Sequence, residues 1–313
     1  MTTSTIGPRR SGVSVVIPSA GRRHRSLRSC LESISLQGEQ DEVLVVVPPG
    51  RCLPKDIPSF ARSIEQDGSI SAAVNAGIRS ARNEIVAVTH DDCVVSNGWL
   101  RELTEPICTT EAIACVGQTV PRRKGRSYPA TLVLPYAERR LVRVDRFTPF
   151  WELGLIGNNF AIRRDAIRRV GPFNERLGIG SRLCGGEDLD MFHRILAAGL
   201  TVCINPRALV YHEPLDTWVQ EMRMMYTYRV GLAAYFFCHF REPDVGSYFV
   251  KRTFADQLRQ VWRSAVRGRP ERLSVEAIAL LGLNIGLAKS WLLRPHAFRD
   301  DWPRAPRPEA TGG

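Results

Sequence analysis

Thr89-His90-Asp91-Asp92 closes an apolar run that begins at Ile85, and Cys93-Val94-Val95 turns apolar again. Aspartate is depleted from strand interiors. Two adjacent carboxylates at the end of a β-type run therefore either mark a turn or hold something that a strand end presents well. Mg²⁺ and Mn²⁺ take hard oxygen ligands, commonly one or two carboxylates together with substrate phosphates. A second acidic pair, Glu187-Asp188, follows Gly185-Gly186 and opens a run in which Met191, Ile195 and Leu196 share one helical face. The helix macrodipole alone favours carboxylates in a first turn. A carboxylate is also a group capable of general acid–base chemistry. His212, in Leu209-Val210-Tyr211-His212-Glu213-Pro214, adds an imidazole. It reads either as a ligand better suited to Mn²⁺ than to Mg²⁺ or as a hydrogen-bonded histidine near a strand end.

These groups need elements to position them. Val13–Ile17 reads as a short buried strand stopped by Pro18, and Val43–Val47 as a second stopped by Pro48-Pro49-Gly50. Between them, Leu27, Cys30, Leu31 and Ile34 recur at helical spacing. Residues 62–66 offer a weak third strand, 70–82 a helix, and Ile85–Thr89 a fourth strand. Strands alternating with helices predict a parallel sheet flanked by helices, whose ligands sit beyond the carboxyl ends of the strands. Pro18-Ser19-Ala20, Pro48-Pro49 and His90-Asp91-Asp92 all lie at such ends.

Beyond residue 100, Ala114–Arg123 reads as a strand and 121–150 as a loop rich in Arg, Pro and aromatics. Residues 157–171 read as a strand feeding a helix that stops at Gly171, 185–200 as a helix, and "VCINP" and "ALVYHEP" as two short strands. From Trp218 the chain reads as helical, aromatic and basic, and residues 296–313 as a loose Pro- and Arg-rich tail.

The chain has 313 residues, 44% of them apolar and 24% charged, with a formal charge of +11. That composition is globular rather than disordered, and its basic balance suits phosphorylated ligands or an anionic surface. Nucleic-acid binding is suggested by charge alone, without a recognition motif, and no nucleic-acid partner is expected. The eight cysteines contain no CxxC and no zinc-type spacing, so free thiols of a reducing compartment are expected. The polar start predicts no signal peptide. No apolar run reaches about 18 residues, so no spanning helix is expected and a cytoplasmic protein is.

Six ordered stretches carry a resemblance: "VSVVIPSAGR", "GSISAAVNAGIRSA", "NEIVAVTHDDCVV", "GNNFAIRRDAIRRVGPFNERLG", "GGEDLDMFHRILAAG" and "ALVYHEP". Over about residues 12 to 215 the chain resembles the family-2 glycosyltransferases with the GT-A fold. The resemblance implies an α/β protein with a mostly parallel mixed sheet flanked by helices. Residues 1–215 would form the catalytic domain. Residues 216–295, with the apolar, basic-flanked stretches "MRMMYTYRVGLAAYFFCHF" and "AIALLGLNIGLAKSWLLR", would form a helical extension that lies on the inner face of a membrane, packs on the catalytic domain or contacts another subunit in a homo-oligomer, and 296–313 the tail. It implies a metal-dependent, inverting transfer of a sugar from a nucleotide-sugar donor to a hydroxyl of a glycan, lipid-linked or small-molecule acceptor, of the kind that builds polysaccharides.

On that basis Asp92 and His212 would hold Mn²⁺ or Mg²⁺, and Asp188 would be the base with Glu187 beside it. Pro18, Ser19, Ala20, Asn75, Gly77, His90, Asp91, Asn158 and Asn159 would line the donor site. Residues 174–184 would form a mobile acceptor-side loop, with Arg176 or Arg182 meeting a phosphate, and Trp151 would either stack on a sugar or sit in the core. Asp190 reads as a helix-surface residue. Two departures stand out: His90 occupies the place where the family commonly has its first Asp, and no carboxylate follows the second strand, where the family recognises the base. They motivate an alternative, a non-catalytic nucleotide-sugar or glycan binding protein on a degenerate scaffold, which Glu187-Asp188 and His212 oppose. A sugar-phosphate nucleotidyltransferase is a further reading. Ser19-Ala20-Gly21-Arg22-Arg23, in place of a Gly-rich loop ending in Gly-Thr-Arg, argues against it.

Overall fold

The computed structural model describes residues 12–38, 40, 42–51, 53, 58–126, 134, 137–143 and 157–294. Trp151, the tail 296–313 and the first eleven residues lie outside them, as does much of the stretch 121–150. The N-terminal elements are β1 (Val13–Pro18), α1 (His24–Ser35), β2 (Glu42–Val47), β3 (Ala61–Glu65), α2 (Ile70–Ser80) and β4 (Ile85–Thr89). β1, β2 and β4 are buried along their whole length, as strands covered by helices on both faces must be. They pair in parallel in the order β3-β2-β1-β4.

The sheet then turns mixed. β5 (Cys93–Val95), α3 (Trp99–Thr109), β6 (Ala114–Pro121), β7 (Arg140–Val142), β8 (Asn159–Arg163), α4 (Arg164–Val170), α5 (Glu187–Ala197) and β9 (Val202–His212) follow. The order continues β4-β8-β6-β9-β5, with β8 antiparallel to both neighbours and β7 pairing with β9. Three of these elements were not foreseen. β5 is three residues long, β7 sits in the stretch read as loop, and α3 carries Pro106, a helix breaker, in its interior. α3 forms because Trp99, Leu100, Leu103 and Ile107 all bury against the sheet.

The two expected strands "VCINP" and "ALVYHEP" are one strand, β9, with an irregularity at residues 206–208: Gly117 pairs with Asn205 while Gln118 pairs with Leu209. A bulge leaves ladder groups unpaired. Asn159 fills it, its Nδ2 donating to the Gln118 and Ala208 carbonyls (2.8 Å each) and its Oδ1 accepting from Trp99 Nε1 at 2.8 Å. Gly77 likewise has a packing reason, since a Cβ there would stand 2.3 Å from Val16 Cγ1, where α2 crosses β1. Asn159, expected to line the donor site, thus holds the bulge together, and Gly77, expected there too, admits α2 onto β1.

The remaining helices are α6 (Trp218–His239), α7 (Pro243–Tyr248) running through a π-helical turn (Phe249–Phe254) into α8 (Ala255–Val266), and α9 (Pro270–Leu293). They share the core of the sheet: Tyr235, Phe236 and Leu283 join the cluster of Val16, Val88, Phe160, Phe192 and Ile195. By length and composition α9 is apolar enough to cross a membrane, contrary to the sequence expectation. Its Gly282 and Gly286 lie against the Tyr226 and Val230 carbonyls of α6, where a Cβ would come within 2.7 Å. α6 in turn lies on the acidic loop: a Cβ at Gly231 would meet the Gly185 carbonyl carbon at 2.5 Å, and one at Gly186 the Gly231 oxygen at 2.5 Å.

Gly→Ala inside an exposed helix ordinarily stabilises by about 1 kcal/mol. At Gly231 the sign is expected to reverse, with a loss of about 1–3 kcal/mol from overpacking against backbone. Denaturant unfolding of Gly231→Ala checks this, and a gain in stability would show that the seam has room.

Candidate active site

β5 and β9 pair antiparallel with Cys93 directly opposite His212. That register sets His212 beside Asp92, with Nε2 3.4 Å from Asp92 Oδ1. The other ring nitrogen, Nδ1, donates to the Glu213 carbonyl at 2.8 Å, which turns Nε2 toward the carboxylate. A lone pair facing a carboxylate oxygen requires a cation or a proton between them. The donor atoms of Asp92, Cys93 and His212 all lie within 4.8 Å of one another. One carboxylate oxygen and one imidazole nitrogen form a donor set that suits Mn²⁺, so these residues fit a divalent ion.

The neighbours sort the two aspartates. Asp91 is buried and accepts from Ser19 Oγ at 2.6 Å, which ties the loop after β1 to the loop after β4. Burial, with the Asp92 charge beside it, raises the Asp91 pKa despite that hydrogen bond. Burial also acts on Asp92, but His212, His90 and Arg23 outweigh it and hold Asp92 below the usual carboxylate range. Arg23, from the loop before α1, pairs directly with Asp92 and is otherwise largely exposed. Burial pushes His90 down to about 4, which keeps it neutral. In the sequence Arg23 is one member of a basic cluster, Arg22-Arg23, that reads as a phosphate contact or a solvated basic surface.

The second acidic pair reaches the same end of the sheet. β8 runs antiparallel to β4 with Asn159 opposite Thr89, so the residues just before β8 pass the loop that carries Asp91 and Asp92. There the Gly157 N–H donates to Asp188 Oδ2 at 3.0 Å, while the Leu189 N–H donates to Oδ1 at 2.8 Å. A Cβ at Gly157 would stand 2.7 Å from that of Asp188. Burial raises the pKa of both acids, and the Asp188 charge raises Glu187 further. Asp188 is thus a fixed carboxylate with raised proton affinity.

The segment 173–184 is hydrogen-bonded to the start of α2. Ser69 and Ser71 hydroxyls donate to the Glu175 and Leu177 carbonyls, and the Ile70 N–H donates to Ile179. Asn75 donates to the Phe173 carbonyl and Glu175 Oε1 while accepting from the Phe173 N–H. Gly178 and Gly180 have φ of +93° and +94°, so these glycines supply a left-handed backbone. Asn75 therefore braces this segment, and Arg176 donates to the Leu293 and Arg294 carbonyls at the end of α9. Arg182, largely exposed, accepts from Lys289 of α9 through its backbone carbonyl. Asn158 is buried and accepts from Thr119 Oγ1 at 3.0 Å. Pro18 is buried, and Ala20, just after β1, is exposed.

Asp190 is also not a surface residue. It is 1% exposed, one turn beyond Glu187, and accepts from Arg194 at 2.8 Å and from His239 Nε2 at 3.0 Å. His239 Nδ1 donates to Glu242 Oε1 at 2.8 Å. His193 Nε2 donates to Glu242 Oε2 at 2.7 Å, and its Nδ1 accepts from Tyr235. Burial opposes charge on His239, but Asp190 and Glu242 outweigh it and raise its pKa to about 9. Glu242 is lowered to about 2, burial again being outweighed, here by His193 and His239. This network joins the helix that carries Glu187-Asp188 to α6.

Residues 8–226 match the model of "Glycosyltransferase like family 2". The succinoglycan biosynthesis protein ExoM of Rhizobium meliloti (strain 1021) is 32% identical over 154 residues, 47% of this chain and 45% of that protein. A pre-mycofactocin glycosyltransferase of Mycobacterium tuberculosis (strain ATCC 25618 / H37Rv) is 26% identical over 226 residues, 68% of this chain and 46% of that protein. The chain thus spans about half the length of these curated relatives. A mannosyltransferase from Pyrobaculum calidifontis, solved with GDP-Man and Mn²⁺, superposes with a TM-score of 0.58 at 14% identity, over 90% of this chain and 88% of that one. The fold is the GT-A arrangement expected from the sequence.

The His239 network sets a pH dependence. Its folded pKa of about 9 lies above the ordinary 6.5, so its contribution is fully present below about pH 6.5 and lost as pH rises through about 9. Wild-type stability is expected to fall by roughly 3 kcal/mol over that interval at about 1.4 kcal/mol per unit, and His239→Gln to flatten the fall. Denaturant unfolding from pH 6 to 10 measures both, and the same decline in the variant would refute the assignment.

Proposed function

The chain belongs to the glycosyltransferase-like family 2, and from that membership we propose that it transfers a sugar from a nucleoside-diphosphate sugar to an acceptor hydroxyl with inversion, using a divalent ion. One observation carries the proposal: Asp92 follows β4, while β8, antiparallel to β4, brings Gly157 to hold Asp188 at the same end of the sheet. Asp92 and His212 would hold the ion, which when bound would supply charge stabilisation to a departing diphosphate.

The residues of the chain would do the rest. Asp188, fixed by two backbone N–H groups and raised in proton affinity, would take the proton of the acceptor hydroxyl as its oxygen attacks the anomeric carbon. Glu187, raised by the same burial, would orient the acceptor or Asp188. Arg23, paired with Asp92, would turn to the donor diphosphate, which its planar guanidinium matches. Ser19 would keep Asp91 in place between the two loops, with His90, neutral beside them, and the exposed Ala20 on the donor side. Glycosyl transfer in polysaccharide or lipid-linked glycan assembly fits this reading. It is supported by the name of one relative, a succinoglycan biosynthesis protein.

Two variants separate the roles. Asp92→Ala should weaken Mn²⁺-dependent binding of a nucleoside diphosphate by more than about tenfold; unchanged affinity by calorimetry would remove Asp92 from the metal. Asp188→Asn should keep nucleotide affinity and lower donor turnover by about 10²-fold or more. Retained turnover would move the base to Glu187.

A further inference from the structure

Helix α8 is built inside out. Its buried positions are polar: Gln257 is 2% exposed, with Nε2 donating to Glu276 Oε2 at 2.8 Å and to the Glu276 carbonyl, and Ser264 is 5% exposed. Its outer face is apolar. Leu258, Trp262 and Val266, spaced four residues apart, are 45%, 66% and 66% exposed, and at that spacing they form one stripe along the helix. Each is followed by an arginine, Arg259, Arg263 and Arg267, all exposed. Lys251, Arg252, Arg269 and Arg272 extend the basic surface at both ends of the helix, against Asp256 and Glu271. Arg259 is tied to Asp256 and Arg272 to Glu276. Among the described residues, Lys251, Arg252, Arg263, Arg267 and Arg269 make no ion pair.

We propose that the outward stripe of α8, Leu258-Trp262-Val266 with its row of arginines, docks the protein on an anionic lipid surface. Such a helix lies in the interface plane, its apolar face among the acyl boundary and its guanidinium groups at the phosphates. Tryptophan is favoured at that depth, and each basic residue near an anionic leaflet adds attraction that falls with salt. Charge selects this occupant over a second copy of the chain. Packing stripe on stripe would bring two arginine rows together, in a chain that already carries +11. The two apolar helices that the sequence first suggests for such contact, α6 and α9, are pressed on each other through Gly282 and Gly286. The inference is independent of the reaction proposed above.

Cosedimentation of the full chain with vesicles tests it. With phosphatidylcholine containing about 30% phosphatidylglycerol, binding is expected to exceed that to phosphatidylcholine alone by at least about tenfold and to weaken with salt. The triple variant Leu258→Ser, Trp262→Ser, Val266→Ser should lose about tenfold or more of that binding. It should keep wild-type unfolding and nucleotide affinity, because these side chains support neither the core nor the cleft. Brominated lipids should quench wild-type tryptophan fluorescence, with the quenched component missing in Trp262→Phe. The proposal is overturned by absent vesicle binding, by equal binding of wild type and triple variant, or by a wild-type dimer that the triple variant dissolves.

Discussion

Two pairs of adjacent carboxylates, Asp91-Asp92 and Glu187-Asp188, stand at one end of a sheet, and the surroundings of each must offset like charge in a partly desolvated cleft. The fold does this differently for each member. Asp91 receives the Ser19 hydroxyl, Asp92 the Arg23 guanidinium and the His212 ring, and Asp188 two backbone N–H groups at a helix start. Glu187, with the least support, has its pKa pushed up by burial and by Asp188. Unequal environments give neighbouring acids unequal proton affinities. Here they leave one low-pKa carboxylate beside an imidazole and one high-pKa carboxylate held in place.

The C-terminal helices belong to that same balance. α6 closes over the Gly185-Gly186 turn so tightly that no Cβ fits at Gly186 or at Gly231, and its His239 reaches Asp190 on the helix that starts with the acidic pair. α9 backs α6, and its last turn is capped by Arg176 from the segment before the glycines. Core, acidic loop and helical segment are thus one packed body, and displacing α6 would disturb the acids directly.

The N-terminal half of this arrangement was legible in the sequence because buried parallel strands are continuous apolar runs and their proline stops are unambiguous. The acidic pairs and His212 were legible as types and order. What was hidden depends on register and on partners distant in sequence. Asn159 and Asn75 read as ligand-facing amides, yet both satisfy backbone groups, one at a bulge and one along a brace. Asp190 read as solvated because its partner His239 is 49 residues away. The glycines of 178–186 signalled flexibility, whereas the structure uses them for positive φ and close approach. α3 was masked by Pro106, and β5 is too short to carry a pattern. Arg23 showed only as one of a basic cluster, since its pairing exists only where the loop after β1 meets the loop after β4.

The central claim is that Asp92 and His212 share a divalent ion beside a separately held base. Pulsed EPR of Mn²⁺ bound with a nucleoside diphosphate reads this directly. The account predicts coupling to one imidazole nitrogen in the wild type and its disappearance in His212→Ala. A wild-type complex without nitrogen coupling, or one whose coupling survives that substitution, would contradict it.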